Sequence, residues 1–76
     1  MSLVLIRRET CGLCELAVGM LEAIGQHDVE QRYLEDDPAL ETQYGWRIPV
    51  LRDTASGREL DWPFDGVKVS EFLHAY

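Results

Sequence analysis

The sequence predicts an α/β protein, a single domain over residues 1–76 in which helices cover both faces of a four-stranded mixed sheet. Three observations predict this class: a continuous apolar run near the N-terminus, a change to helical periodicity directly after it, and a turn-rich hairpin pattern before a last helical stretch. Alternating strands and helices imply parallel pairing through right-handed crossovers. The hairpin adds an antiparallel pair, so the predicted order is β-α-β-α-β-β-α.

The first strand is predicted at Leu3–Ile6, because the uninterrupted apolar run LVLI is typical of a strand buried on both faces. A helix is predicted from about Gly12 to Ile24, with Thr10 as its N-cap and Gly25 as its stop. Its apolar residues recur with the i, i+3, i+4, i+7 spacing of one helix face: Leu13, Leu16, Ala17, Met20, Leu21 and Ile24.

The next two elements are predicted from a polar strand pattern and a helix-start signal. Val29–Leu34 alternates weakly and predicts a second strand. Asp37 followed by Pro38 is a helix start, because proline is favoured at the first helical position, and Gly45 ends this short helix.

The C-terminal third predicts a hairpin and a final helix. Ile48–Leu51 forms the third strand, Asp53–Gly57 the turn and Arg58–Asp61 the returning strand. Asp65 and Gly66 then introduce the last helix. Its apolar stripe consists of Val69, Phe72, Leu73 and Tyr76.

Composition excludes several classes of function. The chain is 46% apolar, and its 14 acidic and 7 basic residues give a formal charge of −7, which argues against nucleic acid or an anionic membrane as partner. No apolar run approaches the roughly 18 residues of a membrane span, and the LVLI run is too short for a secretory signal. We therefore expect a cytoplasmic protein, in whose reducing compartment a purely structural disulfide is not expected.

The two cysteines, Cys11 and Cys14, are spaced as Cys-x-x-Cys and have three interpretations. The first interpretation is half of a zinc site, but zinc usually takes four ligands in two pairs, and His27 and His74 are isolated in the sequence. The second is a pair of small core residues, since free cysteine packs well. The third is a redox pair, which the strand–loop–helix context favours.

The redox interpretation follows from the place of Cys11 at a helix N-terminus. Unpaired N–H groups and the helix dipole there favour a thiolate, which lowers the thiol pKa and raises reactivity. Arg8 is expected to add to this effect, whereas the negative charge of Glu15 opposes it. Cys14 follows one turn later, so Cys11 is expected to attack a disulfide and Cys14 to resolve the mixed disulfide.

With Arg8-x-x-Cys11-x-x-Cys14 and the Ile48-Pro49 segment before Val50, the chain resembles the glutaredoxin branch of the thioredoxin-like superfamily over nearly its whole length. The resemblance implies a thioredoxin-like fold and a cis Ile48–Pro49 bond that faces the cysteines. Beyond the cysteines, it implies a binding site for substrate or glutathione formed by Arg8, Thr10, Trp46, Arg47, Ile48, Pro49 and Asp65.

The chain departs from glutaredoxins in two places. Gly12 and Leu13 stand between the cysteines, where glutaredoxins usually carry proline and an aromatic residue. The segment LDWPFDG, residues 60–66, replaces the Gly-Gly turn that helps to hold glutathione, and its WPFD motif marks a small subgroup. Within it, Asp65 either caps the last helix or contacts a ligand amine. Phe64 is expected to cover the sheet, and Trp62 is a second candidate for the same role. Trp46 either lines a substrate groove or packs on the second helix.

The resemblance implies a thiol–disulfide oxidoreductase that reduces protein or glutathione mixed disulfides through Cys11 and Cys14. Such an enzyme needs no bound metal or organic cofactor, and glutathione is a possible co-substrate. We expect a monomer. The alternative is a non-catalytic module on the same fold, whose cysteines contact a partner protein or share a metal or iron–sulfur cluster.

Overall fold

A computed structural model describes residues 2–74, which form four strands, three α-helices and one 3-10 turn at Leu34–Asp36. The predicted order of elements is confirmed. In chain order the elements are β1 (Leu3–Arg7), α1 (Gly12–Ala23), β2 (Val29–Tyr33), α2 (Pro38–Tyr44), β3 (Val50–Asp53), β4 (Glu59–Asp61) and α3 (Gly66–Leu73).

The strands form one mixed sheet in the order β2-β1-β3-β4. β1 pairs with β2 in parallel, and β3 is antiparallel to both β1 and β4. In this register Ile6 lies opposite Val50, and Val50 lies opposite Asp61. The C-terminal ends of β1, β2 and β4 therefore meet the start of β3 at one edge of the sheet.

Helices cover both faces of this sheet, as predicted. All five residues of β1 are buried, and because successive strand residues point to opposite faces, they enter two separate cores. The larger core joins β1 and β3 to α1 and α3 through Leu3, Leu5, Ala17, Leu21, Leu51, Phe64, Val69 and Phe72. The smaller core lies against α2 and comprises Val4, Ile6, Leu34, Tyr44 and Val50.

The buried face of α1 is narrower than the sequence pattern predicts. Cys14, Ala17 and Leu21 are buried, whereas Leu13 and Leu16 are 50% and 62% exposed. Successive helix residues are about 100° apart, and the small sheet covers only the arc centred on Cys14 and Ala17. The prediction that Leu13 and Leu16 belong to the core stripe was wrong.

Several element boundaries also differ. Cys11, not Thr10, is the N-cap of α1: its backbone is extended, and its Sγ accepts a hydrogen bond from the Cys14 N–H. Leu34 begins the 3-10 turn rather than ending β2. The third strand starts at Val50, the first residue paired with β1, and Pro49 precedes it because proline has no N–H for the ladder.

At the other boundaries the turn chemistry agrees with expectation. Gly25 follows α1 with a φ of +83°, and Gly57 lies in the β3–β4 turn with a φ of +77°, a region that glycine adopts readily. β4 begins at Glu59, one residue after the predicted start. Tyr76 of the predicted α3 stripe lies outside the described residues. Within residues 2–74, no helix has both the length and the apolar character needed to cross a bilayer.

Candidate active site

The cysteines lie at the sheet edge where β1 ends and β3 begins. The chain leaves β1 after Arg7 and starts α1 at Cys11. The pairing of β1 with β3 ends at Ile6 and Val50, so Arg7 directly follows this pair along β1 and Pro49 directly precedes it along the chain. Arg8 Nη2 donates a hydrogen bond of 3.1 Å to the Gly45 carbonyl. The loop that carries Pro49 is thereby attached to the loop that leads to Cys11.

Cys11 and Cys14 form a disulfide whose Cα atoms are 5.2 Å apart. Their environments differ sharply: Cys14 is fully buried, whereas Cys11 is partly exposed. The Cys14 N–H donates to Cys11 Sγ over 3.2 Å, so the Cys11 sulfur already occupies a capping position at the helix N-terminus. On reduction, the same N–H and the helix dipole would stabilise a negative charge on that sulfur.

A buried arginine, Arg7, holds the loop before the cysteines. It is only 3% exposed, and its guanidinium donates to the carbonyls of Arg8 (3.0 Å) and Glu9 (3.3 Å) and to Gln31 Oε1 (2.9 Å). It also lies 5.1 Å over the ring of Tyr33. Its position at the end of the continuous apolar run of β1 is the signal in the sequence for its burial.

The same guanidinium forms an ion pair with Glu15 in the first turn of α1. The sequence leads us to expect that Glu15 opposes a thiolate at Cys11. Because Arg7 Nη2 contacts the Glu15 carboxylate, that negative charge is balanced within the site. The pair also joins the end of β1 to the first turn of the helix that carries both cysteines.

Arg8 makes its ion pair with α2. Its Nη2 lies 2.8 Å from Glu41 Oε1, and this hydrogen bond raises the pKa of the Arg8 guanidinium. The positive charge of Arg8 is therefore partly neutralised by Glu41. Its predicted roles in supporting the thiolate and in binding substrate stay predictions.

Arg47 belongs to a network of charges on β4. It lies 2.8 Å from Glu59 and 2.9 Å from Asp61, and its guanidinium stacks 5.0 Å over the ring of Tyr44. Burial of Glu59 favours its neutral form, but hydrogen bonds from Tyr44, Arg47 and Arg52 outweigh this effect and lower the pKa of the carboxyl to about 2. Arg47 thus has carboxylate partners within its own chain.

The segment around Pro49 has one feature that the resemblance implies. The Ile48–Pro49 bond is cis, which confirms that prediction, and Pro49 is buried. Trp46 is 91% exposed, so it does not pack on α2. Thr10, directly before Cys11, is exposed as well. A second cis bond, Trp62–Pro63, was not predicted.

Asp65 lies away from the cysteines. Its Oδ1 accepts a hydrogen bond of 2.8 Å from the Lys68 N–H and caps α3. A Cβ at the adjacent Gly66 would lie 3.3 Å from Ile24 Cγ2, so α3 begins beside the C-terminal end of α1. At a rise of about 1.5 Å per residue, Ile24 is about 20 Å along the helix from Cys11. The geometry favours the cap over the ligand role.

The aromatic residues of the WPFD segment cover the sheet, which was expected for Phe64. Phe64 is buried in the larger core, and Trp62 packs against it with their ring centroids 5.0 Å apart. The backbone N–H of Trp62 donates to the Pro49 carbonyl over 3.2 Å, which places this bulky segment beside the start of β3. Across residues 2–74, no three His, Cys, Asp or Glu side chains are grouped as metal ligands.

The sheet order, the helices on both faces and the Cys-x-x-Cys pair at a helix start define a protein of the thioredoxin-like fold. More narrowly, the chain belongs to the family described as glutaredoxin-like domain (DUF836), whose model matches residues 2–74. No curated protein matches the chain.

Two solved structures of protein XcR50 from X. campestris are similar to it. The X-ray structure is 44% identical, with 99% of each chain covered and a TM-score of 0.89. The solution structure is 45% identical, with a TM-score of 0.86 and coverage of 100% of this chain and 96% of that chain. Protein Ne2328 from Nitrosomonas europaea is 25% identical over 93% of this chain and 88% of that chain, with a TM-score of 0.79.

Proposed function

We propose that this protein is a thiol–disulfide oxidoreductase in which Cys11 is the nucleophile and Cys14 is the resolving thiol. The observation that carries the proposal is the difference between the two sulfurs. Cys11 is partly exposed at the N-terminus of α1, and Cys14 is fully buried one turn later. A substrate disulfide can therefore reach only the outer cysteine, and membership of the glutaredoxin-like family supports the same chemistry.

In the first step, the Cys11 thiolate attacks one sulfur of the substrate disulfide. A Cys11–substrate disulfide forms, the substrate S–S bond breaks, and the first substrate thiolate leaves. Cys14 then loses its proton and attacks Cys11 Sγ, which forms the Cys11–Cys14 disulfide and releases the second thiolate. The two released thiolates take up two protons, so the substrate gains two electrons and the protein loses two.

The contacts around the pair suit each step. Before attack, the helix N-terminus favours the Cys11 thiolate, which is the reactive form of cysteine. The Cys14 N–H, 3.2 Å from Cys11 Sγ, remains available to that charge. After attack, the spacing of 5.2 Å between the Cα atoms lies within the usual range for a disulfide, so Cys14 can close the bond with the backbone in place.

Renewal of the reduced form needs an external reductant. Two thiols of a small-molecule donor such as glutathione, or the dithiol of a reductase protein, would supply the two electrons. We further propose that the protein acts as a monomer without a bound metal or organic cofactor. Its proposed location is the cytoplasm, a reducing environment in which such donors keep thiols reduced.

Two single substitutions test the assignment of roles. Cys11→Ser is expected to abolish reduction of disulfides. Cys14→Ser is expected to retain the first step and to accumulate a mixed disulfide at Cys11, visible as a mass increase equal to that of the substrate thiol less its own hydrogen and the hydrogen lost from Cys11. Unchanged reduction by Cys11→Ser would refute the proposal. A mixed disulfide at Cys14 in the Cys11→Ser protein, formed as fast as at Cys11, would refute the order of attack.

A further inference from the structure

We infer that the disulfide substrate is part of a polypeptide with apolar and basic side chains beside its cysteine, and that glutathione disulfide is a poor substrate. The inference rests on the function proposed above and specifies its substrate class. The surface that receives this polypeptide, here the docking surface, consists of Leu13, Leu16 and Trp46.

The docking surface is apolar and open to solvent. Leu13, between the two cysteines, is 50% exposed, Leu16 is 62% exposed and Trp46 is 91% exposed. Leu13 and Leu16 are three residues apart and therefore neighbours on one side of α1. Trp46 directly follows Gly45, whose carbonyl is bound by Arg8. This hydrogen bond joins the loop that carries Trp46 to the loop that leads to Cys11. Large exposed apolar side chains on elements next to a reactive residue indicate an interaction site, and tryptophan is prominent among residues that dominate binding energy.

The cations near the cysteines are already paired within the chain. Arg7 binds Glu15, Arg8 binds Glu41, and Arg47 binds Glu59 and Asp61. Glutathione carries two carboxylates, which need cationic or N–H partners at their binding site. At these arginines, the carboxylates of glutathione would have to compete with the chain's own carboxylates for the same guanidinium groups.

The other end of a glutathione site is also altered. Asp65, the acidic residue that the resemblance offers to a ligand amine, caps α3 near the far end of α1. In place of a small glycine turn, Trp62 is hydrogen-bonded to the Pro49 carbonyl. Bulky side chains therefore stand where the glycine turn would be, and the Asp65 carboxylate is engaged as a helix cap.

The remaining charge near Cys11 is negative. The Glu35 carboxylate accepts hydrogen bonds of 3.1 and 3.2 Å from the Glu9 N–H. The 3-10 turn after β2 therefore brings a second acidic residue to the loop before Cys11. Both residues are exposed. Opposite charges favour encounter between partners and like charges disfavour it. A basic polypeptide therefore fits this edge, and anionic glutathione disulfide does not.

The test compares four disulfides of defined chemistry against the reduced full chain. Three are symmetrical peptide disulfides with Leu and Lys, Leu and Glu, or Ser and Lys beside the cysteine, and the fourth is glutathione disulfide. Acid quench, alkylation and mass spectrometry give the second-order rate constant for oxidation of the protein. We expect the Leu–Lys peptide to react about tenfold faster than glutathione disulfide, which corresponds to the loss of one good anchor contact. The two other peptides are expected to fall between them.

Matched variants connect the preference with the docking surface. Trp46→Ala is expected to lower the ratio of the Leu–Lys rate to the glutathione disulfide rate about tenfold. Val67→Ser removes another exposed apolar side chain, 66% exposed but beside Gly66 at the far end of α1, and should leave the ratio unchanged. Added salt should reduce the difference between the Lys and Glu peptides, because it screens exposed charges.

The outcomes separate this inference from the proposed function. If glutathione disulfide oxidises the protein as fast as the Leu–Lys peptide, or if Trp46→Ala leaves the ratio unchanged, the substrate class is wrong and the oxidoreductase proposal stands. If none of the four disulfides oxidises Cys11 and Cys14, the proposed function itself is wrong.

Discussion

Glu59 lies opposite Arg52 in the β3–β4 pair and joins two arginines and a tyrosine, and its replacement by glutamine should destabilise the protein in a pH-dependent way. The carboxylate accepts hydrogen bonds from Arg47 (2.8 Å), from Arg52 (2.7 Å) and from the Tyr44 hydroxyl. Glutamine keeps the size of the side chain but loses the charge. Two guanidinium groups then lose their shared anion.

The magnitude follows from the pKa of Glu59, which is lowered from 4.5 to about 2. At about 1.36 kcal/mol per pH unit, this difference corresponds to roughly 3 kcal/mol of stabilisation. The Arg47 and Arg52 side chains are 29% and 36% exposed, so solvent screening reduces the expected effect to about 1–2 kcal/mol. Because the folded pKa lies below the unfolded one, this stabilisation is complete above about pH 4.5 and disappears as the pH falls to about 2.

The assay is urea unfolding of the wild-type protein and of Glu59→Gln, followed by circular dichroism at pH 7, 4 and 2.5. The difference in the free energy of unfolding should be largest at pH 7, about three quarters as large at pH 4 and about a quarter as large at pH 2.5. Asp61→Asn is the matched control, because Asp61 also pairs with Arg47 but is 50% exposed. Its effect should stay below about 1 kcal/mol. A Glu59→Gln difference that is constant from pH 7 to pH 2.5 would refute the reasoning.

Two further predictions concern residues that position the site and its neighbouring helix. Arg7→Lys keeps the charge but cannot reproduce the planar fork that reaches Gln31, Glu15 and two carbonyls. It should lower the free energy of unfolding by about 2 kcal/mol, measured by urea denaturation. Arg32→Lys, at an exposed ion pair, should change it little, and an equal loss in both variants would contradict the role of Arg7. Asp65→Ala should cost about 1 kcal/mol as a lost N-cap. Asp65→Asn should restore most of this in the same measurement, and failure to do so would contradict the cap assignment.

The fold was largely predictable because its signals are local. LVLI and the Asp37-Pro38 start each depend on a few adjacent residues, and the structure has an element at each place. Which apolar residues of α1 are buried was harder to predict, because the sequence pattern does not reveal how much of the helix surface the sheet covers. Leu13 and Leu16 belong to an apolar pattern in the sequence and yet face solvent.

The place of the cysteines at a helix start and the cis Ile48–Pro49 bond were predictable from the sequence, whereas the contacts around them were not. Arg7 is buried by Gln31 and Tyr33, which are more than twenty residues away in the sequence, so local pattern could not indicate its contacts. Thr10 is the better N-cap by propensity. The loop geometry nevertheless gives the capping position to Cys11, whose sulfur accepts the bond from the Cys14 N–H.

An equilibrium redox titration of the purified protein tests the central claim most directly. Glutathione buffers set the potential, and alkylation followed by mass spectrometry counts the free thiols of Cys11 and Cys14. We predict one reversible two-electron transition from a reduced form with two free thiols to an oxidised form with none. A midpoint near about −200 to −230 mV would match glutathione as the donor, and one near about −270 mV a reductase protein. The claim would be contradicted if both thiols stayed free at every potential tested. It would also be contradicted if the disulfide could not be reduced at any of them.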